Sequence, residues 1–341
     1  MIYLFSKLIS DRRLLFRICF VIAAMLLLLL SPVAALKGAS YGLMLWYRTL
    51  FPTLMPFMVL SNFIVYTGCA RPLGALLKPI TRLLKLPLSA GYCIICGFLC
   101  GYPMGAYVCG SLNEVGELDD ETAAFLAPIC NNVSPMFMIS YICISCLGDK
   151  SLAKTVIISL MLPAFIAMFV TRFVYIKLMK KKKSTDNILN TPNSLADSAP
   201  GNNKNMSDNV KLMATSDALS LSVESALMAS LKLCIYVMLF SIAGAMVDNI
   251  SFLPEIIKAA VMSIMEITAG LDKISKLDIS LNYKLFMMLI FTSFGGLSSI
   301  FQTMSLWRGR KFYIQKYILY KLIVTSVTIL FLLLVTVSGI L

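Results

Sequence analysis

Three short tracts of glycine, proline and polar residues interrupt apolar runs of this chain, at residues 97–106, 131–135 and 294–302. Within hydrocarbon every backbone N–H and C=O needs a partner, so irregular backbone is tolerated only where it is buried in protein or lines a cavity. A helix that begins at such a break presents N–H groups and the positive end of its dipole, which favour an anionic group. The predicted substrate-binding residues are therefore Gly101, Tyr102, Pro103, Gly105, Asn131, Asn132, Ser134, Pro135, Gly295, Gly296, Ser298, Ser299 and Gln302.

Two of these tracts carry a signal for the start of a helix. Pro103 and Pro135 suit the first turn, because proline lacks the N–H that would have no partner there. Ser134 is of the residue type that caps a helix N-terminus. We expect two half-helices to begin at these prolines, with both N-termini close to one bound carboxylate.

Two ionisable residues lie in apolar surroundings. Glu266 precedes Ile267 and Thr268, and charges within a membrane are by default candidates for function. We expect Glu266, together with Thr268, to serve a coupling ion or a proton. Lys232 lies a few residues into a long apolar run, where snorkelling to the interface and counter-charge duty for a substrate stay equal alternatives.

The sequence argues against several other chemistries. It has no histidine, no phosphate-binding loop of the type G-x-x-x-x-G-K-[ST] and no nucleophile elbow, so we expect neither enzyme activity nor a cofactor. The pairs Cys93-x-x-Cys96 and Cys143-x-x-Cys146 lie in apolar passes, without a histidine to complete a mixed metal site. We therefore expect small-residue packing, reduced thiols and no metal.

Composition identifies the elements that must position these residues. Of 341 residues, 59% are hydrophobic and 14% charged, which is more apolar surface than one globular core hides from water. The net charge of +13 comes from basic residues at the ends of apolar runs, which indicates membrane topology and no nucleic-acid partner. Runs of the roughly 20 residues that cross a lipid bilayer recur at 14–36, 52–69, 122–147, 151–176, 219–247, 281–301 and 318–340.

These runs predict about six to eight crossings or re-entrant passes, and basic residues near their ends set the orientation. The N-terminus and the lysines at 177–183 are expected in the cytoplasm. We predict four regions in the chain, one of which is a disordered cytoplasmic linker of polar composition. They are an N-terminal signal-anchor helix over 1–37, a first membrane half over 38–180, the linker over 181–216 and a second membrane half over 217–341.

The expected fold is an all-α polytopic membrane protein of two inverted repeats with re-entrant, glycine-broken helical hairpins. The first hairpin has its tip near Gly101, Tyr102 and Pro103, and the second has its tip at 294–302. Arg308, Arg310 and Lys311 would then fall outside the cytoplasm. Either the second pass crosses the membrane fully, or the charge rule fails there.

Five motifs, taken in order, resemble the YlbJ-type sporulation integral membrane family. They are residues 46–57, 97–106, 131–135, 266–268 and 294–298, and the resemblance covers nearly the whole chain outside the linker. That family is grouped with the gate, or nucleoside-recognition, membrane proteins, and its sporulation members are associated with moving dipicolinate across the outer forespore membrane. The resemblance implies two gate-type repeats, transport of a small organic anion such as dipicolinate, and a multi-pass location in the cell membrane, specifically the outer forespore membrane.

The same residues leave other functions open. A permease for nucleosides or another small metabolite would need only the neutral Asn, Ser and Gln groups. A non-transporting sporulation membrane scaffold would use the glycine breaks for close packing alone. The expected partners are the lipid bilayer and a small anionic metabolite. Assembly with further copies of the chain into a homo-oligomer is left open.

Overall fold

The computed structural model describes residues 12–189, 215–307 and 312–337. Its regular structure within those ranges is helical, without a strand, which agrees with the predicted all-α class. Five helices of the described part are long and apolar enough to cross a bilayer, namely Pro32–Tyr66, Lys150–Val174, Thr215–Asp248, Leu281–Leu306 and Ile314–Thr336. A further pair of helices, Ala70–Leu83 with Leu88–Leu99, is together also long and apolar enough but is bent by 102°. The chain is thus a multi-pass membrane protein.

The first helices divide at a different residue from the one that the sequence predicts. The expected gap between runs 14–36 and 52–69 is helical, and the chain instead breaks at Ser31, because Pro32 lacks an N–H and starts a new helix. The predicted end of the anchor at residue 37 therefore falls inside a helix. The elements are α1 (Arg12–Leu30), α2 (Pro32–Leu45), a π-helical turn (Trp46–Leu50), α3 (Phe51–Tyr66), α4 (Ala70–Gly74), a 3-10 turn (Ala75–Leu77) and α5 (Lys78–Leu83).

A helical hairpin follows, formed by α6 (Leu88–Leu99) and α7 (Met104–Glu114). The start of α6 and the end of α7 lie next to each other, since the Ser89 hydroxyl donates to the carbonyl oxygen of Glu117 at 3.2 Å. The hairpin turns at Gly101, whose φ of +81° is unfavourable for residues with a side chain. The remaining elements of this half are α8 (Asp120–Ile129), a π-helix (Phe137–Cys146), a 3-10 turn (Lys150–Leu152) and α9 (Ala153–Leu189).

The second half contains a helical hairpin that the sequence analysis does not predict. Its helices are α11 (Glu255–Met265) and α12 (Ile267–Ser275), which follow α10 (Thr215–Asp248). Lys273 Nζ lies 2.5 Å from Glu255 Oε2, which ties the open ends together, so the tip of this hairpin is Glu266. The predicted linker is covered only at its edges, since α9 reaches Leu189, α10 begins at Thr215 and residues 190–214 lie outside the described ranges.

The second predicted hairpin, at 294–302, is wrong. α13 (Leu281–Phe294) and α14 (Gly296–Leu306) follow one another within a single 26-residue candidate span. Gly295 has a φ of +87° and serves both as the C-cap of α13 and as the N-cap of α14. Gly296 also has a positive φ, of +78°, so two consecutive glycines in the left-handed region interrupt the helix without leaving enough chain to reverse it. The last described helix is α15 (Ile314–Val337).

Helices α2 and α3 pack antiparallel along α10. A Cβ placed on Gly38 would lie 2.6 Å from Ile242 Cα, so the absence of a side chain lets the two backbones touch. At the other end of the pair, Asn62 Nδ2 donates to the carbonyl oxygen of Ser222 at 3.3 Å. This pair forms a wall beside the two hairpins.

Candidate functional site

The tip of the α6–α7 hairpin packs directly against the interrupted segment 130–134. The N–H of Tyr102 donates to the carbonyl oxygen of Asn132 at 2.6 Å. Gly105 lies so close to this segment that a Cβ would be 1.8 Å from the carbonyl oxygen of Cys130. The two predicted tracts are therefore one structural unit, in which the missing side chain of Gly105 permits the crossing.

The helix start predicted at Pro135 is present. Residues 135 and 136 are helical and continue into the π-helix, and the N–H of Phe137 donates to the Ser134 hydroxyl at 3.2 Å. Pro103 immediately precedes α7. The N–H groups of Tyr102 and Phe137 are both occupied by protein acceptors, so the predicted grip of two helix N-termini on one carboxylate would have to use other donors.

The main cation of the site is Lys321 on α15, which is only 2% exposed. Its ammonium group donates to the backbone carbonyl oxygen of Asn131. Among the described residues no carboxylate lies within ion-pairing distance of this ammonium group. Burying a charge without an opposite charge is unfavourable, so Lys321 marks a position that an anion would stabilise.

Lys321 was not among the residues predicted from the sequence. It is the fourth residue of the predicted run 318–340, and a lysine near the end of a span ordinarily snorkels to the interface. The available signal was its spacing from Tyr317, because residues four apart share a helix face. Both side chains meet Asn131, whose Nδ2 donates to the Tyr317 hydroxyl.

Asn131 is the centre of this polar cluster. Its Nδ2 also donates to Thr303 Oγ1 on α14 at 3.0 Å, so one side chain joins the interrupted segment to α14 and α15. Its Oδ1, in contrast, is buried without a hydrogen-bond partner in the described part of the chain. Such an acceptor carries a desolvation cost until a donor reaches it.

Other predicted residues lie along α14 next to Asn131. Gln302 Nε2 donates to the Ser298 hydroxyl at 2.8 Å, and the Ser299 hydroxyl donates to the carbonyl oxygen of Gly296 at 3.0 Å. Thr303 donates in turn to the carbonyl oxygen of Ser299 at 2.7 Å. These side chains are buried and supply neutral polar groups on one side of Lys321.

Glu266 forms the tip of the α11–α12 hairpin and is 5% exposed. Its carboxylate accepts from the N–H groups of Thr268 at 3.1 Å and Ala269 at 2.7 Å, so it caps α12. The carbonyl oxygen of Thr268 accepts from the Tyr141 hydroxyl at 2.7 Å. The backbone N–H of Ile267 lies next to Gly296, which brings this tip against the interruption between α13 and α14.

Tyr102 joins the two hairpin tips. Its ring edge lies about 4.0 Å from the Cβ position of Gly295, and its hydroxyl interacts electrostatically with both Glu266 and Tyr317. That hydroxyl is buried and has no hydrogen-bond partner in the described ranges. The unpartnered Tyr102 phenol is thus near both the Glu266 tip and Tyr317, which contacts Asn131 together with Lys321.

Lys232, which the sequence analysis also singled out, lies outside this cluster, because it is exposed on α10. All ten cysteines are unpaired. No group of three or more Cys, Asp or Glu side chains in the described residues has the geometry to hold a metal ion. The Cys109 thiol on α7 instead lies next to the thiols of Cys93 on α6 and of Cys130 at the end of α8.

Comparison with known proteins gives one informative relative. The chain is 29% identical over 122 residues to the sporulation integral membrane protein YlbJ of Bacillus subtilis strain 168, a match that covers 36% of this chain and 30% of that protein. No protein-family model matches the chain, and no solved structure matches it significantly. The resemblance to the YlbJ-type family seen in the motifs is supported by this relative, over about a third of either chain.

Proposed function

Starting from this similarity to a sporulation membrane protein, we propose that the chain is a transporter and not an enzyme, and that it moves a small organic anion across the membrane. The observation that carries the proposal is the buried ammonium group of Lys321, which has no carboxylate partner in the described residues. Buried cations of this kind mark ion and substrate pathways in membrane proteins. An anion at Lys321 would supply the missing opposite charge.

The two hairpins support an alternating-access architecture. α6 and α7 have 12 and 11 residues, which corresponds to rises of about 18 and 16 Å, well short of the roughly 30 Å of hydrocarbon. We assign both hairpins as re-entrant elements whose tips, at Tyr102 and Glu266, meet within the membrane. Such elements place irregular backbone next to a substrate in many transporters.

The order of elements favours an inverted repeat with a different pairing from the one predicted. Each half contains a hairpin, then an interrupted helix, then a long apolar helix: α6–α7, α8 with the π-helix, and α9 in the first half, against α11–α12, α13–α14, and α15 in the second. In this pairing Gly101 corresponds to Glu266, and the segment 131–134 corresponds to Gly295. The interrupted helix at Gly295 thus corresponds to the interrupted helix α8 with its π-helix, and not to the α6–α7 hairpin.

A full crossing by α13–α14 also removes the conflict with the charge rule. If α10 leaves the cytoplasm, the α11–α12 hairpin returns to the outer side and α13–α14 crosses back. Arg308, Arg310 and Lys311, which lie outside the described residues, then follow a cytoplasmic helix end. The basic residues 71–85 and 177–183 fall on the same side, as the positive-inside rule requires.

Within the anion class, an aromatic dicarboxylate such as dipicolinate fits the groups available. One carboxylate would pair with Lys321, and the unpartnered Tyr102 hydroxyl could donate to the other. Gln302 and Ser298 offer neutral polar groups near the ring. Location in the outer forespore membrane is part of this proposal and rests on the similarity to YlbJ.

Uptake into proteoliposomes tests the proposal, with labelled dipicolinate and labelled uridine compared on wild type, Lys321→Met and Lys321→Arg. We expect saturable dipicolinate uptake that falls about 10- to 100-fold in Lys321→Met, the loss typical of a removed charge-assisted contact, and less in Lys321→Arg. Lys258→Met is the matched control, because Lys258 is also buried but pairs with Glu255 at 2.8 Å. If the protein takes up uridine and not dipicolinate, the substrate is a neutral metabolite and not an anion. If folded protein takes up neither compound, the result favours the non-transporting membrane scaffold.

A further inference from the structure

A cleft of about 680 Å³ opens between the break after α1, the C-terminal end of α10 and the helix α12. It lies apart from the cluster around Lys321, and α2, α10, α11 and α12 all contribute to its walls. One side is formed by residues 30–34, which are apolar except for Ser31. The polar lining includes Lys37, Tyr41, Ser241, Asp272, Lys273 and Lys276.

The charges of this cleft are unevenly paired. Lys273 Nζ lies 2.6 Å from Asp248 Oδ1 and also contacts Glu255, and Lys276 Nζ lies 2.5 Å from Asp272 Oδ2. Lys37 is exposed in the wall and has no carboxylate within ion-pairing distance in the described part of the molecule. Its charge is therefore left to attract an anion.

The inner wall of the cleft borders the Glu266 tip. Ala269 lines the cleft, and its N–H donates to the Glu266 carboxylate at 2.7 Å. Tyr41 lines the cleft as well, and its hydroxyl lies near that of Tyr141. Tyr141 donates to the carbonyl oxygen of Thr268, so a single layer of residues separates the cleft from Glu266.

A second and independent feature marks the cleft as a place for a polar ligand. Ser241 is 3% exposed and lines the cleft, and its hydroxyl oxygen is buried without a hydrogen-bond partner in the described residues. Leaving such a group unsatisfied costs free energy. A ligand or ordered solvent in the cleft would supply the missing partner.

We infer that this cleft is the outer vestibule of the transport route, in which Lys37 and Ser241 receive the small organic anion before it passes the Tyr41–Tyr141 pair toward Tyr102 and Lys321. The inference rests on the proposed transport of an anion. α1 and α10 both begin on the predicted cytoplasmic side, so their C-terminal ends, and the cleft with them, face the opposite side. An exposed cation there runs against the positive-inside tendency, which favours a functional reason for Lys37.

Thiol labelling tests the vestibule without requiring transport. Ser241→Cys is treated from the outer side with membrane-impermeant methanethiosulfonates of similar size, one anionic and one cationic, with wild type giving the background of native cysteines. Ser230→Cys is the matched control, because Ser230 is buried on the same helix, bonds Trp46 and does not line the cleft. We expect Ser241→Cys to react, and Ser230→Cys to stay unlabelled.

The charge of Lys37 gives a second readout. The anionic reagent should react with Ser241→Cys about fivefold faster than the cationic one, and Lys37→Gln should remove most of this preference, as expected for one unit charge at short range near a protein surface. Dipicolinate should slow the reaction. Equal labelling at positions 230 and 241, or a preference for the cationic reagent, would overturn the vestibule. Normal labelling together with unimpaired uptake by Lys321→Met would keep the vestibule and reject the Lys321 site.

Discussion

The backbone N–H of Tyr102 donates to the carbonyl oxygen of Asn132 at 2.6 Å, which ties the tip of the α6–α7 hairpin to the interrupted segment after α8. Each of these two segments has irregular backbone, and each supplies a hydrogen-bonding group to the other. The pairing explains how unwound chain is tolerated at this depth. It also means that the spacing between the two segments is set by backbone contact.

The close contact at Gly105 should not accept a side chain. Gly105→Ala would place a Cβ 1.8 Å from the carbonyl oxygen of Cys130, so we expect loss of most folded protein in detergent. Gly244→Ala is the control, because the nearest atom to its Cβ is Met262 Cε at 4.0 Å and alanine favours the helix by about 0.5–1 kcal/mol. Size-exclusion profiles and melting temperatures check both, and a well-folded Gly105→Ala protein would contradict the described crossing.

Removing the Tyr102 hydroxyl should affect uptake more than stability. Because this hydroxyl is buried without a partner in the described residues, Tyr102→Phe should leave the free energy of unfolding unchanged or slightly higher. Uptake should fall about three- to tenfold if the hydroxyl donates to the substrate.

Tyr92→Phe is the comparison for Tyr102, since the Tyr92 hydroxyl donates to Ser61 Oγ at 3.2 Å. We expect it to lower the melting temperature while the folded fraction transports normally. The reverse pattern, with Tyr102→Phe unstable and fully active, would remove Tyr102 from the site.

Two substitutions of Glu266 should distinguish its role as a helix cap from a role in coupling transport to an ion or proton. Glu266→Ala removes the acceptor for Thr268 and Ala269 and should destabilise the protein by about 1–2 kcal/mol. Glu266→Gln keeps one of the two acceptor oxygens but cannot take up or release a proton. We expect it to lose less stability than Glu266→Ala and to take up anion at a rate that no longer responds to an imposed pH gradient.

Asp119→Asn controls for loss of a capping carboxylate. Asp119 accepts from the N–H of Thr122 at 2.8 Å and is exposed. Its variant should lose some stability but keep the pH response of uptake. A pH response that survives in Glu266→Gln would show that Glu266 is a cap only.

Lowering the pH should weaken the ion pairs of Glu255 at the open end of the α11–α12 hairpin. Hydrogen bonds from Lys258 and then Lys273 lower the pKa of Glu255 from 4.5 to about 2. Because the pKa is depressed in the folded state, the stabilisation is present above pH 4.5 and is lost as the pH falls toward 2. Melting temperatures between pH 6 and pH 3 should decline less in Glu255→Gln than in wild type, whereas Glu224→Gln, on an exposed face of α10, should follow wild type.

The sequence by itself determined that this chain lies in a bilayer and located three of its helix interruptions, at 100–103, 130–134 and 295. Composition and the spacing of apolar runs are local quantities, and so are the preferences of Pro135 for a first turn and of Ser134 for a cap. These predictions therefore needed no knowledge of neighbouring elements. The same local signals at Gly295 could not tell a reversal from a crossing, because a left-handed glycine occurs both in the hairpin turn at Gly101 and in the crossing helix at Gly295.

Only the tertiary structure decided which interrupted segments meet and which cation is buried. Lys321 and Asn131 are 190 residues apart in the chain, and a lysine four residues into an apolar run looks like an interfacial residue until α15 is packed against α8, α9 and α13. Lys232, in a similar sequence setting, is exposed on α10. Burial of a charge is a property of everything packed around it, and no local pattern contains that information.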